Sequence, residues 1–378
     1  MYQLRKNNFA LSLNDTTAIK GIAIIAMICH HFFLYQPDWV DRYPYWLELV
    51  GTLGKVCVSL FLFCSGYGMS IQYSKMFSQT KLYKDKIIAT IVFIIKRFIK
   101  FYSGYWFVFL VFVPVTIIFF DRPLSEAYGE HTNILKRLFF DLLGLQGYQS
   151  YNITWWFNKL IIFLYLCFPL LYLFIRKTKL YGLIISFIIM FSFDGIDGLN
   201  YFELYFWQFP FVLGIGWNIY QNKLLKLSNL IYKYQVLFKV CILVLLLLAS
   251  LQRLFNIIPW IHFSGIRVDG ILSVIIALVC LIILKPYKKL YDVLIFLGIH
   301  SMNIYLIHTF FNGYWKPIHA FLHTNAYMRI TGLNVFVLIL ICLIISIVIE
   351  YIKEKTCWNK ITQDIIKYIN YHTIKKLV

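Results

Sequence analysis

Residues 20–31 read KGIAIIAMICHH, an apolar run that begins with a lysine and ends with two histidines. An ionisable side chain inside a membrane helix is costly, so its presence indicates a candidate functional site. Lys20 and His31 are eleven residues apart, close to three turns of an α-helix, and therefore share one face about 16 Å apart. At about 100° per residue, His30 points roughly 80° away from that face. We predict a helix with a basic group near one membrane surface and an imidazole near the other.

The composition is that of a membrane protein. Hydrophobic residues make up 60% of the 378 and charged residues 14%, proportions that a soluble globular domain does not show. A bilayer-spanning helix needs about 20 apolar residues. The sequence predicts ten such spans, at 17–36, 50–72, 100–120, 154–175, 179–193, 203–220, 235–255, 267–285, 290–312 and 331–352. The predicted fold class is therefore all-α, a polytopic integral membrane protein with about ten transmembrane helices.

One further helical segment, 134–147, is too short and too charged to cross a bilayer. We predict that it forms an interfacial or re-entrant helix.

The distribution of charge predicts the orientation. Lys and Arg concentrate in segments on the same side of the membrane as the N-terminus, above all in 73–100 and 353–378. The positive-inside rule places both termini in the cytoplasm. We predict one transmembrane domain over 1–352, followed by a short basic cytoplasmic tail, 353–378. The net charge of +19 then reflects topology and attraction to anionic membrane lipid, and does not indicate nucleic-acid binding.

Several classes of site are missing from the sequence. The eight cysteines form no C-x-x-C pair, so the sequence indicates neither a disulfide framework nor a zinc or other metal site. It contains no P-loop, no G-x-S-x-G nucleophile motif and no dinucleotide fingerprint. The loop histidines, His319 and His323 among them, are predicted to be ordinary surface residues.

The second predicted span carries Lys55, Ser59 and Gly66 on one face, with Ser65 beside Gly66. Small residues allow helices to approach closely, or expose backbone to a ligand. These four residues are candidates for lining an acceptor site or a channel, and plain helix packing is the alternative.

Arg97 and Lys100 lie one helical turn apart at the cytoplasmic end of the third predicted span. A pair of cations there is explained either by the positive-inside rule or by a phosphate-binding patch.

Two later groups of polar residues are also candidates for lining an acceptor site or channel. Asn158 and Lys159 follow a pair of tryptophans at the outer end of the fourth span, where interface anchoring explains the tryptophans alone. Ser301, Tyr305 and His308 share one face of the ninth span by their i, i+4, i+7 spacing. A hydrogen-bonded stripe between helices and a catalytic role for His308 both fit this pattern.

Four patterns together resemble the membrane-bound acyltransferase family 3, whose members move acyl groups onto cell-surface polysaccharides, lipopolysaccharide and peptidoglycan. The family's first-helix pattern, a basic residue followed after ten residues by His, matches Lys20 and His31. Its second-helix signature matches 61–67, its basic-aromatic segment 97–106, and its late S-x-x-x-Y-L-x-H pattern 301–308. Three positions depart from the family: Lys20 and Lys100 stand where Arg is commoner, and Ser103 where many members have Pro.

The resemblance implies a membrane O-acyltransferase, in the simplest case an O-acetyltransferase, in the bacterial cytoplasmic membrane. Acyl-CoA, as acetyl-CoA, is then a co-substrate and no cofactor is permanently bound. Its phosphates are expected at Lys20, Arg97 and Lys100. His31 is the expected base, because an imidazole near neutral pH activates a hydroxyl of a cell-surface glycan or its lipid-linked precursor. The acyl group either moves directly to the acceptor or passes transiently through His31.

The alternative function is a carrier or flippase for a lipid-linked oligosaccharide. Such a protein would use the same basic residues to bind a pyrophosphate.

Overall fold

The computed structural model describes residues 10–35, 42–79, 82–192, 204–259 and 265–377. Helix is the only regular secondary structure in these ranges, which confirms the predicted all-α class. The α-helices are α1 (Leu13–Leu34), α2 (Tyr45–Gly54), α3 (Val56–Gln79), α4 (Tyr83–Phe119), α5 (Leu124–Tyr128), α6 (Ile134–Leu142), α7 (Trp156–Thr178), α8 (Leu180–Ser192), α9 (Leu204–Lys233), α10 (Gln235–Phe255), α11 (Asp269–Val279), α12 (Lys288–Ile299), α13 (Ser301–Thr309), α14 (Lys316–Thr324), α15 (Ala326–Thr331), α16 (Leu333–Lys355) and α17 (Trp358–Leu377).

Seven helical segments within the described ranges are long and apolar enough to cross a membrane. They are Leu13–Leu34, Tyr45–Gln79, Lys84–Phe119, Ile153–Thr178, Gln235–Phe255, Gly265–Leu284 and Leu333–Lys355. Helices α12 and α13 form a bent pair, broken at His300, that makes an eighth span if it is counted as one. The predicted spans 179–193 and 203–220 correspond to α8 and α9, which are not among these segments, so the count of ten is not confirmed.

The chain packs into two compact units, each assembled from separate stretches of sequence. Unit 1 comprises Met1–Tyr35, Tyr45–Gln72 and Leu170–Ser301. Unit 2 comprises Gln36–Pro44, Tyr73–Pro169 and Met302–Val378.

In unit 1, α1 begins with a capping box. The Ser12 hydroxyl accepts a hydrogen bond from the Asp15 amide at 3.2 Å, and the Asp15 carboxylate accepts from the Ser12 amide at 2.7 Å. The same carboxylate forms an ion pair with Lys285 at 2.8 Å and accepts a hydrogen bond from the Tyr291 hydroxyl. The start of α1 is thereby fixed to the chain around α12.

Helices α1 and α12 approach each other closely at two glycines. A methyl group on Gly21 would overlap the backbone of Leu294, and one on Gly298 would overlap the backbone of Thr17. Small residues at the contact allow this approach, as is typical of membrane helices. The close packing fixes the N-terminal half of α1, where Lys20 lies.

In unit 2, the aromatic residues of α4 hold the end of α6. The last carbonyl groups of a helix lack partners within the helix. Tyr102, Tyr105 and Trp106 donate to the three carbonyl oxygens of 141–143, at 2.6 to 2.9 Å. The buried Asp141 carboxylate also accepts hydrogen bonds from the Tyr128 hydroxyl at 2.8 Å and from a backbone amide at 2.5 Å.

These contacts bear on how α6 meets the membrane. Trp106 follows Lys100 by six residues, about 9 Å of helical rise. Because Lys100 is predicted at the cytoplasmic surface and 121–153 is predicted to start outside, the predicted topology places the end of α6 deep in the membrane. At nine residues α6 is too short to span. The geometry favours the re-entrant alternative over the interfacial one.

The tail, 353–378, contains α17, which packs along α4. The Trp358 indole donates to the Ser103 carbonyl oxygen at 3.0 Å, and the Ser103 and Thr362 hydroxyls lie 2.7 Å apart. The Lys96 ammonium donates to the side-chain oxygen of Asn370. Ser103, which departs from the family pattern, is therefore a docking point for the tail.

Candidate active site

The two histidines of α1 have different surroundings. His30 is 5% exposed, and its Nδ1 lies 2.9 Å from the carbonyl oxygen of Gly51 in α2. His31 is half-buried, and its ring centroid lies 5.6 Å from that of Tyr35 at the end of the helix. A methyl group on Gly54 would overlap the backbone of His30. The α1–α2 contact therefore uses His30 for packing and leaves His31 as the more accessible imidazole.

Lys20 is half-buried, as His31 is. Among the described residues no carboxylate forms an ion pair with it, and its charge acts on the buried Cys64 thiol of α3. An unbalanced cation within an apolar helix is costly, so a bound anion would stabilise this position. Lys20 and His31 are exposed to a similar extent, which agrees with the prediction that they share one face of α1.

Lys55 belongs to a buried charge cluster in unit 1. Arg253 of α10 forms an ion pair with the fully buried Asp269 of α11 at 2.8 Å, and donates to the Thr52 carbonyl oxygen at 3.3 Å. Lys55 acts electrostatically on the same carboxylate. The second oxygen of Asp269 has no hydrogen-bond partner within the described residues. Sequence reasoning named Lys55 but missed Arg253 and Asp269, although ionisable residues in two apolar spans were a usable signal.

Of the remaining candidates on α3, Gly66 lies at a helix–helix contact, and Ser59 and Ser65 are polar. A methyl group on Gly66 would overlap the backbone of Phe211 in α9, and one on Gly214 of α9 would overlap the backbone of Phe63. Gly66 therefore serves close helix packing. Ser59 is fully buried and its hydroxyl has no hydrogen-bond partner among the described residues, whereas Ser65 is half-buried.

In unit 2, the predicted phosphate-binding pair lies on α4. The Arg97 guanidinium is 5.3 Å from the ring centroid of Phe93, and its side chain is half-buried. Lys100, one turn further along, is exposed. The structure thus leaves the Lys100 ammonium open to solvent and partly covers the Arg97 guanidinium.

Asn158 and Tyr305 are brought together by the fold. The buried Tyr305 hydroxyl lies 3.2 Å from the side-chain oxygen of Asn158 and 3.1 Å from the Thr154 carbonyl oxygen. The side-chain nitrogen of Asn158 is buried and has no hydrogen-bond partner in the described part of the chain. Helix α13 is thereby joined to the start of α7 by the predicted polar stripe.

His308 extends the same network. It is fully buried, and its Nδ1 lies 2.8 Å from the carbonyl oxygen of Tyr305, which makes Nδ1 the donor and Nε2 the acceptor. The Thr309 hydroxyl lies 3.3 Å from His308 Nε2 and 3.1 Å from the Thr154 hydroxyl. A hydrogen-bonded link between helices thus accounts for His308 without a catalytic role.

Two candidates have simpler placements. Lys159 is half-buried on α7, and its stem lies close to Gly147. Ser301 is buried at the start of α13, immediately after the break at His300.

The prediction that the loop histidines are surface residues is wrong for His323. That side chain is fully buried in α14, where its Nδ1 lies 3.0 Å from the Tyr43 hydroxyl. The Asn334 side chain of α16 donates to the same hydroxyl at 3.1 Å, and the His319 ring centroid is 4.7 Å from that of His323. Burial and the neighbouring His319 lower the pKa of His323 to about 4.

A family model described as an acyltransferase domain matches residues 14–352. The chain belongs to acyltransferase family 3. No match was found among curated proteins or among solved structures.

Membership of this family makes the protein a multi-pass membrane acyltransferase. The matched range of the acyltransferase contains every candidate site residue from Lys20 to His308. Within the described residues, no group of three or more His, Cys, Asp or Glu side chains is placed to hold a metal ion.

Proposed function

We propose that the protein transfers an acetyl group from cytosolic acetyl-CoA to a sugar hydroxyl of a cell-surface polysaccharide or its lipid-linked precursor, in the bacterial cytoplasmic membrane. One observation carries the proposal. On the helix that bears the family's basic-residue and histidine pair, His31 is the more accessible imidazole while His30 packs against Gly51. The acyl-transfer class follows from the family, and the acetyl group and glycan are the proposed refinements.

Lys20, Arg97 and Lys100 are each proposed to bind phosphate groups of the donor. Acyl-CoA carries several phosphate charges, and charge-assisted hydrogen bonds from ammonium and guanidinium groups are the strong contacts for phosphate. Lys20 lacks a carboxylate partner among the described residues, and Lys100 is exposed. Both features suit groups that receive a charged ligand.

His31 is proposed to act as the general base. The acceptor oxygen attacks the thioester carbonyl carbon and forms the new C–O bond as its proton passes to the imidazole. The C–S bond then breaks, and the imidazolium returns the proton to the leaving sulfur. The products are the glycan ester and the free thiol of coenzyme A, so atoms and charge balance.

The test follows a radiolabelled acetyl group with the full-length protein reconstituted in lipid nanodiscs. Acetyl-CoA and candidate acceptor glycans are supplied, and the label on glycan and the free CoA thiol are measured. An enzyme releases free thiol and transfers the label. A carrier or flippase leaves acetyl-CoA intact, and that result would overturn the proposal.

A further inference from the structure

A cleft of about 350 Å³ opens beside α6 in unit 2. Its lining includes Lys136 and Arg137 on α6, Phe140 one turn further, and Gln146 and Gln149 on the segment that follows. With Thr132 and Asn133 at the start of α6, the lining combines two cations, three primary amides, a hydroxyl and an aromatic ring. None of these residues belongs to the candidate active site.

The two cations of the cleft lack acidic partners. Among the described residues no carboxylate lies within ion-pair distance of Lys136 or Arg137. Asp141, the acidic residue of the same helix, is buried and faces tyrosine donors instead. The cations are therefore available to an anionic ligand, and two such groups side by side repel each other until one arrives.

Their position in the sequence is also unusual. The predicted outer loops carry few Lys and Arg residues, as the positive-inside rule requires, and Lys136 with Arg137 is the one adjacent pair in them. The positive-inside rule does not explain a pair of cations in an outer loop, so the pair needs another explanation. Because 121–153 starts and ends on the predicted outer side, the first turn of α6, which carries Lys136 and Arg137, lies nearer that side than the C-terminal end of α6 does. The cytosolic donor is thus less suited to the cleft than the outer acceptor.

The other cleft residues suit a carbohydrate. The side-chain amides of Gln146 and Gln149 make no hydrogen bond to described residues, so their donors and acceptors are open to sugar hydroxyls. The Phe140 ring is 38% exposed and offers an apolar face. The cleft is also rigid, because α4 holds the last carbonyl groups of α6. A preformed site binds without the entropic cost of ordering it.

We propose that this cleft binds an anionic segment of the acceptor glycan, one that carries carboxylate or phosphate groups. The proposal rests on the proposed function, since it names the class of acceptor. Lys136 and Arg137 bind the acidic groups, the two glutamines bind hydroxyls, and Phe140 packs against a sugar ring. Neutral glycans lack the charged contacts and bind more weakly.

The test measures binding to the full-length protein in nanodiscs of neutral lipid. The probes are oligogalacturonate and the same oligosaccharide with its carboxylates methyl-esterified, so the two differ in charge. We expect Lys136→Gln with Arg137→Gln to weaken oligogalacturonate binding by at least about tenfold, as loss of charge-assisted contacts does. The matched control is Lys316→Gln with Arg329→Gln, which removes two cations from another predicted outer loop of unit 2 and should leave binding unchanged.

Acetyl-CoA hydrolysis without acceptor is measured in parallel, and its KM should be the same in both double variants. Equal oligogalacturonate affinity in the wild type and the Lys136/Arg137 variant would overturn the proposal, as would equal affinity for the esterified probe. A raised KM for acetyl-CoA would assign the cleft to the donor. A loss of phosphatidylglycerol binding, without a change for the oligosaccharide, would assign it to lipid. If the wild type consumes no acetyl-CoA yet binds the acidic probe through these residues, the proposed function fails and the anionic-glycan site stands.

Discussion

The neighbouring histidines of α1 allow the chemistry to be tested by one substitution made at two adjacent positions. We expect His31→Asn to lower acetyl transfer by about 10² to 10⁴-fold, the usual effect of losing a general base. His30→Asn should retain most activity, because the asparagine amide can still donate to the Gly51 carbonyl oxygen. The measurement is label transfer to glycan per amount of membrane-inserted protein.

Two outcomes of that pair of variants would contradict the mechanism. Near-normal transfer by a well-expressed His31→Asn protein would remove His31 from the chemistry. Equal loss in both variants would point to damaged packing between α1 and α2.

For the basic residues proposed to bind the donor, we expect a change in the KM for acetyl-CoA. Arg97→Ala should raise the KM for acetyl-CoA by about tenfold or more, because a charge-assisted contact to phosphate contributes about 1.5–3 kcal/mol. Lys20→Arg should be tolerated better than Lys20→Ala, since charge is kept. Arg176→Ala, which removes an exposed arginine from the end of α7, is the control and should leave the KM unchanged. Unchanged donor kinetics in Arg97→Ala would reduce the Arg97 and Lys100 pair to a topology signal.

For single residues, helical periodicity predicted the relative directions of side chains on one helix. The angle between His30 and His31 follows from helical geometry, and the structure gives the two side chains different degrees of burial. The partner of Lys55 could not be found in this way. Asp269 lies more than two hundred positions away, and its proximity follows from the packing of α11 in unit 1.

At the scale of elements, the His323 cluster joins α14 to α16 and predicts a pH-dependent stability. The pKa of His323 is lowered from 6.5 to about 4, so the folded state disfavours the protonated form. The contribution of the neutral His323 to the stability of the fold is then fully present above about pH 6.5. It is lost progressively as the pH drops toward 4. We expect the melting temperature of the wild type to decrease over this interval more than that of His323→Asn. The measurement is a thermal melt at several pH values in one detergent.

The side chains that contact His323 also influence its titration. Tyr43 and His319 are titratable side chains in contact with His323, and Asn312 and Asn334 also belong to the cluster. His319→Asn is the matched control, because it removes the neighbouring imidazole and keeps the buried one. Parallel melting profiles for the wild type and His323→Asn would contradict the linkage.

The sequence predicts the limits of a helix where the composition changes from apolar to charged. It does not predict them where the composition stays apolar. The charges in 134–147 indicated a segment that does not span, and α6 has nine residues. The apolar pattern of 290–312 is continuous, so it predicted one span, whereas the chain breaks at His300 into α12 and α13. The break coincides with the transition between units 1 and 2, which hydropathy does not encode. The aromatic cap on α6 is equally hidden, since the sequence indicates Tyr102, Tyr105 and Trp106 only as part of a basic-aromatic segment.

At the scale of the whole molecule, the sequence predicted the class and the family. Within the described residues, seven helical segments are long and apolar enough to cross a membrane, or eight with the α12–α13 pair. Helix α8 has 13 residues, about 20 Å long, against a hydrocarbon core of about 30 Å. Basic residues occur both before it, at 174–180, and after α9 begins, at 221–233. The positive-inside rule therefore places both flanks in the cytoplasm whether or not α8 and α9 cross.

A reporter fused after residue 197, which lies outside the described residues, separates these two arrangements. The ten-span topology predicts an outside reading there, with fusions after 40, 128, 260 and 320 also outside. Fusions after 80, 178, 226, 287 and 370 should read cytoplasmic, and those after 178 and 226 are the matched controls because both arrangements place them inside. A cytoplasmic reading after 197 would show that α8 and α9 do not cross, giving eight spans. An outside reading after 226 or 287 would contradict the lysine asymmetry itself and reverse the predicted orientation of the second half of the chain.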